Sequence, residues 1–449
     1  MNRLFLYFVF VMVWAGLFMG SAMAQQMPQS LNISSSPNAV GSGARAMGMG
    51  GAFIAVADDA TAASWNPAGL SQLKKPEFSF AFSYFSRREG FASSRHREAE
   101  GMQEAANSEI NYFSIAYPFV LFERNMIVSL NYQRLYDFER DINLNFQTEP
   151  SGWLGQDFSI QDIDFRQHGG LKAISPAFAV EITPAFSLGV TLNIWTDKLF
   201  WSNGWESDNI VNATISQGWS RDIKAKVAEH DRYHDFQGFN MHLGFLWKPN
   251  SFLTLGAVLK TPFKAKVKHE KRINTRIDEF GGGTSSESPL YFKENIDLEM
   301  PLSYGVGAAL RFSDRLTVSM DVFRTEWSKY ILEDGLGQRM SPVTGKLSHE
   351  TDIRATYQVR LGAEYLFVLT KTVIPLRLGL FYDPEPSEKN PEDFWGISVG
   401  TGFSAGKTVI DFAYQFRFGN NVEGEVLGIP ETEADVKQHL FLVSVIYHF

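Results

Sequence analysis

The sequence predicts an all-β fold: a transmembrane antiparallel β-barrel of about fourteen strands, preceded by an N-terminal segment with short helices. Three observations predict it. The chain opens on an export leader, continues in period-two segments whose connections alternate short and long, and ends in a strand closing on Phe449.

Met1-Asn2-Arg3 supplies a short positive region, Leu4 to Met19 is apolar, and Ala22-Met23-Ala24 gives the small-x-small pattern that signal peptidase reads. Residues 1–24 are therefore expected to be a signal peptide, with Gln25 as the mature N-terminus. The competing reading is an anchor helix. The apolar stretch is borderline in length for a span, and the Ala-x-Ala ending favours cleavage. The chain has no cysteine. That excludes a lipid-modified N-terminus, disulfides, thiol catalysis, Cys-ligated zinc and iron–sulfur clusters.

The net charge is −9 and charged residues make up 20%. Nucleic-acid binding would need a basic patch or stripe, so no nucleic-acid partner is expected. Aromatic residues reach 14%, with 38 Phe and 37 Gly. That suits aromatic girdles and a lipid-facing apolar band better than a soluble α/β enzyme. Past the leader no apolar run is long enough for a spanning helix. A closed barrel is then the remaining way to satisfy the backbone within a bilayer.

From Glu77 onward the alternation is regular. Leu316, Val318, Met320 and Val322 stand against Thr317, Ser319 and Asp321. Ile410, Phe412, Tyr414, Phe416 and Phe418 stand against Asp411, Ala413, Gln415 and Arg417. An amphipathic helix would instead group its apolar residues at spacings of three and four. The expected strands are 77–86, 110–117, 125–136, 171–183, 186–198, 238–248, 251–261, 296–312, 315–328, 354–367, 375–383, 393–404, 407–418 and 437–449. Six short connections alternate with long ones near 87–109, 137–170, 199–237, 262–295, 329–353, 384–392 and 419–436. Short periplasmic turns, long outside loops and an even strand number put both termini on the periplasmic side. The ending Val443 to Phe449 resembles the C-terminal signal that barrel-insertion machinery recognises in outer-membrane proteins.

Residues 25–76 read differently. Ser42 to Phe53 is rich in Gly, Ala and Met, and Ile54 to Leu70 carries Asp58, Asp59 and Asn66-Pro67-Ala68. Small residues let backbones approach closely, and Gly accepts positive φ. Asp58 or Asp59 can cap a short helix through Thr61–Trp65. Pro67 stops that helix at or before Asn66.

The run Ala44 to Phe53, then Ala57-Asp58-Asp59, then Asn66-Pro67-Ala68-Gly69-Leu70, resembles the N-terminal hatch of the outer-membrane long-chain fatty acid and aromatic hydrocarbon transporter family (FadL/TodX, OmpP1 type). The resemblance implies three parts: a signal peptide (1–24), a hatch inside the barrel (25–76) and a barrel with long extracellular loops (77–449). It implies passive outer-membrane transport of long-chain fatty acids or other hydrophobic compounds. A ligand is caught outside, passes to a pocket in the barrel, and leaves sideways or inward when the hatch moves. Partners would be the hydrophobic small molecule, outer-membrane lipid and, during insertion, the barrel-assembly machinery. No cofactor and no enzymatic activity are implied, and a barrel with its own plug can work as a monomer. A second reading is a same-family barrel that attaches or shuttles secreted proteins at the surface. A third, a lipid hydrolase, needs a nucleophile that no Ser/His/Asp constellation here supplies.

Hatch and gating roles fall on Asn66, Pro67 and Ala68, with Asp58 and Asp59, against the plainer reading of an Asn-Pro turn. Gly48, Gly50 and Gly51 are read as close packing of hatch on wall. A phosphate loop would need a βαβ unit that is not visible. Leu199, Phe200, Trp201, Trp205 and Trp219 are read as an outside greasy groove or as loop packing, and Trp195 as interfacial belt. Arg324, Arg360, Arg377 and Arg417 are placed on inward faces. Arg360, nearest mid-strand, is the candidate for a ligand carboxylate, against salt bridges with Asp321, Glu364, Asp383 or Asp411. The nine histidines show no metal spacing. His230, Asp231 and His234 are taken as a solvated loop cluster.

Overall fold

A computed structural model of the chain describes residues 42–93, 96–147, 157–199, 201–217, 223–279, 286–422, 425–426, 429–430 and 432–449. The leader, the start of segment 25–76, Phe200 and Trp219 lie outside the described residues.

Fourteen strands close on themselves. They are β1 (Glu77–Ser93), β2 (Gly101–Leu121), β3 (Arg124–Asp137), β4 (Asp157–Thr183), β5 (Phe186–Trp195), β6 (Ile223–Trp247) and β7 (Leu253–Lys260). The second half is β8 (Ser303–Arg311), β9 (Leu316–Thr325), β10 (Thr356–Val368), β11 (Val373–Tyr382), β12 (Trp395–Ala405), β13 (Thr408–Val422) and β14 (Thr432–His448). Each pairs antiparallel with the next, and β14 returns to β1 from Glu77↔His448 to Ser93↔Thr432. Closure leaves the barrel without a free edge. Every span expected from the alternation overlaps one of these strands. The short turns gather at one end, the turn end, with residues 77 and 448. The long excursions gather at the other, the loop end.

Facing follows the pleat. On β11, Leu376, Leu378 and Leu380 are 48%, 55% and 56% exposed, while Arg377 between them is 3% exposed. The apolar residues thus cover the outside and the polar ones point into the lumen. Arg324 departs from its expected place. It shares parity with Met320 and Val322, so it points outward, pairing with Glu326 and lying 5.2 Å over the Tyr357 ring. At a strand end a long cation can reach the polar interface, so an outward Arg is tolerated there.

The long connections are largely strand. Hairpins Arg140–Gln147 with β4, Gly204–Gln217 with β6, and Phe263–Glu279 with Ser286–Met300 extend the wall beyond the loop end. β4 and β6 run 27 and 25 residues, well past the roughly 9–11 that cross a bilayer. These extensions fall in the connections expected to be long outside loops, although Lys264, Lys266 and Lys268 alternate with the buried Ala265 and Val267.

One seam of the wall is only half zipped. The β2–β3 ladder stops at Tyr112↔Gln133, and β3 shifts register between Arg134 and Tyr136. Beyond that point side chains bridge the seam. Arg134 pairs with Glu109 at 2.6 Å, and Asn107 Nδ2 donates to Asp137 Oδ2 at 2.8 Å.

Residues 42–73 lie inside the barrel as helix α1 (Ala44–Gly48), helix α2 (Ala62–Trp65) and a 3-10 turn, Pro67–Gln72. Almost all of them are buried. Pro67 ends α2 at Trp65, with Asn66 extended at φ −150 and ψ 101. Gly50 and Gly51 take φ 68 and 75, which lets the chain reverse after α1. Asp59 accepts from Thr61 N–H at 2.9 Å just ahead of α2.

Candidate functional site: the lumen segment and the cavity above it

Asn66 is fully buried and uses both ends of its amide. Its Nδ2 donates to Ile54 O (2.8 Å) within the lumen segment and to Phe245 O (2.9 Å) on β6. Its Oδ1 accepts from Ala68 N–H at 3.1 Å, capping the 3-10 turn that begins at Pro67. Asn66-Pro67-Ala68 therefore ties the segment to itself and to the wall at one point.

Irregular backbone inside a barrel must find hydrogen-bond partners in the protein. Inward side chains supply them. Asp321 Oδ2 accepts from Phe53 and Ile54 N–H at 2.6 and 2.8 Å. Ser444 Oγ accepts from Ala44 N–H at 2.7 Å. Ser319, Ser398, Gln415, Thr191 and Tyr112 donate to Ala52, Gly48, Met47, Ala63 and Ala60 carbonyls.

A buried ionic chain adds to this. Arg45 grips Glu364 through two hydrogen bonds of 2.9 and 3.0 Å and also pairs with Asp58. Glu364 in turn receives Arg377 Nε at 2.6 Å, and Arg377 reaches Asp411 at 2.7 Å. Burial pushes the Asp59 carboxyl above its ordinary range, and the nearby Arg45 guanidinium pulls it back. Arg377 and Arg417 thus meet lumen acids, Arg417 reaching Glu385 at 2.7 Å.

The wall makes room with glycines. A Cβ on Gly244 would lie 2.2 Å from Asn66 Oδ1, and one on Gly189 2.3 Å from the Pro67 carbonyl carbon. On the far wall, a Cβ on Gly379 would lie 2.2 Å from Gly50 N, and one on Gly362 2.5 Å from Met49 O. Gly48 meets Gly400 backbone to backbone, so the close packing read for Gly48 and Gly50 is met by glycines on the strands. The sequence carried this signal, since glycine in a strand interior marks close backbone approach. It was not used.

Above the segment, toward the loop end, lies a cavity of about 50 Å³. Trp65 and Arg360 form its floor, with Leu135, Tyr136, Trp195, Phe263, Phe323 and Trp327 around it. Asn240, His242, Lys260 and Gln358 supply its polar side. Trp195 is therefore no belt residue. It is 3% exposed, donates to Asn240 Oδ1 at 2.9 Å, and stacks on Phe263 at 5.6 Å. Arg360 donates to Gly50 O at 3.0 Å and pairs with Asp383 at 3.4 Å, so it also holds the segment.

The aromatic groove dissolves into separate places. Trp205 is 4% exposed, packed between Phe138 and Tyr233 on the inner face of the loop-end sheet. It reads as exposed only if residues 199–237 form a loop. Trp201 packs on Tyr132 at 4.9 Å, and Leu199 is 46% exposed. The cluster of His230, Asp231 and His234 also separates. Asp231 is buried and receives His269 Nε2 at 2.7 Å, His230 meets Asp208, and His234 meets Glu270.

A closed fourteen-stranded barrel with apolar outer faces, whose lumen is filled by its own N-terminal segment, is a plugged transmembrane pore. The family described as "Outer membrane protein transport protein (OMPP1/FadL/TodX)" matches residues 21–447, and the chain belongs to it. Solved structures share the fold at low identity. A Pseudomonas aeruginosa FadL homologue is 15% identical with a TM-score of 0.60, over 92% of this chain and 100% of that one. The Pseudomonas putida toluene transporter TodX is 15% identical with a TM-score of 0.54, over 92% and 100%. The Ralstonia pickettii toluene transporter TbuX is 15% identical with a TM-score of 0.52, over 92% and 99%. None of the curated protein sequences matches the chain.

Proposed function

We propose that the chain is a passive outer-membrane channel for hydrophobic molecules bearing a carboxylate, long-chain fatty acids foremost, gated by a hatch within residues 25–76. The observation that carries this is the amphipathic cavity resting on Trp65. Its aromatic walls suit a hydrocarbon chain. Lys260, whose ammonium stands 5.6 Å over the Phe323 ring, suits the charged end. Arg360 faces the same space from the floor, where it holds Gly50 and Asp383, and Lys260, placed among the aromatic walls, takes the carboxylate role in this reading.

The cavity is small against the roughly 300–1,000 Å³ of working ligand sites. A ligand therefore binds best when the floor moves. Trp65 directly precedes Asn66, so displacing it strains the contact that holds the hatch to β6. Ligand and open state favour each other by linkage. The seam above Gln133 adjoins the cavity through Leu135 and Tyr136 and offers access from the side.

In this reading residues 1–24 are a removed leader, residues 77–449 the barrel, and the turn end faces the periplasm. The protein works as a monomer and is inserted by the assembly machinery. No bond of the cargo is made or broken. The surface-attachment reading leaves the cavity on Trp65 without a role.

Cells producing Lys260→Met protein test the proposal. Uptake of a fluorescent fatty acid at limiting concentration should fall by at least about tenfold, since one charge-assisted contact contributes roughly 1.5–3 kcal/mol. Toluene uptake should hardly change. Unchanged fatty acid uptake, or equal losses for both compounds, would overturn the carboxylate assignment.

A further inference from the structure

On the opposite side of the lumen segment, at the turn end, lies a second and different cavity. It holds about 250 Å³, and its lining is mostly polar, including Gln72, Lys74, Glu181, Lys248 and Arg311. Two acids reach it, and each has a cation. Asp58 pairs with Arg45, and Glu181 stands 3.9 Å from Lys74. Lys248 and Arg311 remain. Among the described residues neither has a carboxylate within ion-pair distance. Lys248 Nζ instead donates to Gln72 Oε1 at 2.6 Å.

Gln72 is the last residue of the 3-10 turn, and its amide reaches back into the segment. Gln72 Nε2 donates to Ala57 O at 3.0 Å and to Val56 O at 3.5 Å. Lys248 therefore holds Gln72, and Gln72 holds the backbone just before Asp58 and Asp59. A neutral amide gives the half-buried Lys248 ammonium a hydrogen-bond acceptor but leaves its charge uncompensated, which an anion would not. Burial pulls the Lys248 ammonium below the ordinary lysine range, with Asp58 opposing and Arg311 adding to the shift. An oxyanion between Lys248 and Arg311 would reverse that strain.

We propose that Lys248 and Arg311 form an oxyanion site beneath the hatch, whose occupant displaces Gln72 from Lys248 and so loosens the hold on Val56 and Ala57. A carboxylate leaving the upper cavity fits this chemistry, as does inorganic phosphate. The carboxylate case rests on the function proposed above, whereas the site itself does not. The arrangement makes the turn-end cavity a sensor. An anion there weakens the closed hatch, and a closed hatch weakens anion binding by the same factor.

The test uses full-length protein purified in an uncharged detergent, with heat-modifiable gel migration confirming a folded barrel in every variant. Lys260→Met serves as background to silence the upper cavity. Calorimetric titration with hexanoate, and separately with phosphate, should show one site in that background. Lys248→Met or Arg311→Met should weaken it at least tenfold. Hexanoate binding more tightly than phosphate identifies the cargo's carboxylate as occupant, and the reverse order identifies a free anion. Either order supports the site.

The coupling is read separately. The chain has no cysteine, so Val56→Cys gives one labelling position. Its rate of reaction with a charged maleimide should rise several-fold on adding the tighter anion, and should not respond when Lys248→Met is also present. No binding of either anion in the Lys260→Met background, or binding indifferent to Lys248 and Arg311, overturns the site. A labelling rate unmoved by a bound anion overturns the coupling. If wild-type protein binds hexanoate only at the lower site, the reading of Lys260 fails while this one stands.

Discussion

Asn66→Asp should unseat the hatch and leave the barrel folded. The substitution changes one NH2 to an oxygen and hardly alters shape. In the native arrangement that NH2 donates to Ile54 O and Phe245 O at 2.8 and 2.9 Å, in a site with no solvent exposure. A carboxylate there would aim oxygen at two carbonyl oxygens and bury an uncompensated charge. Breaking a buried polar contact in that way costs about 3–5 kcal/mol. At 1.4 kcal/mol per factor of ten, the docked-to-undocked ratio falls by roughly two to three and a half orders of magnitude. Asn66→Ala removes the same donors without adding charge, so its effect should be in the same direction and smaller, about 1–3 kcal/mol. Conductance of single barrels in planar bilayers measures the difference. The Asp variant should show long open periods for ions that the native protein excludes, the Ala variant brief ones. Fatty acid uptake at limiting concentration should rise in both, because a ligand that binds best once the floor has moved no longer has to displace Trp65. Native-like closure of the Asp variant would show that Asn66 packs but does not anchor.

The barrel was legible because its physics is local. Leu376, Arg377, Leu378, Gly379 and Leu380 announce their two faces within five residues, and the same rule reads any strand that has lipid on one side and a filled lumen on the other. Charge masks that rule in places. Arg324 has the parity of Val322, yet its charge suggested the lumen. Phe263 to Lys268 alternates as cleanly as the membrane strands, yet it falls in a connection read as a loop, and Trp205 was misplaced because 199–237 was read in the same way. The lumen segment was legible only in part. Pro67 and the glycines fixed its turns, whereas its partners lie hundreds of residues away. That Arg45 would meet Glu364, or Asn66 the carbonyl of Phe245, depends on how fourteen strands stack. No short-range pattern carries that information. Lys260 was missed because one lysine at a strand end looks like any other until Trp65 and Trp195 are placed beside it.

The wall glycines define a second large effect, and it separates seating from capping. Gly379→Leu and Gly362→Leu lie on β11 and β10, away from Asn66. In each, the first atom of the new side chain would already stand within 2.5 Å of segment backbone, at Gly50 N and Met49 O. Backbone on both sides cannot give as a flexible side chain can. The wall is held by its ladders and the segment by scattered contacts, so the segment should move. Overpacking of this kind costs typically 1–3 kcal/mol and sometimes more, enough to shift a gate held by individually modest bonds. Open-channel conductance should therefore rise in both variants, with normal heat-modifiable migration. Gly90→Leu supplies the control, since a Cβ there would meet nothing nearer than 3.5 Å. The decisive comparison is the double variant. If Gly379 matters because the segment lies against it, then in Asn66→Asp protein, where the segment is already free, adding Gly379→Leu should change conductance little. A substitution in the lumen segment and one on the wall would then be strongly non-additive because they act on one moving part. Full additivity would mean that Gly379→Leu acts on the strand itself, and the glycines would have to be explained by barrel curvature instead of by the hatch.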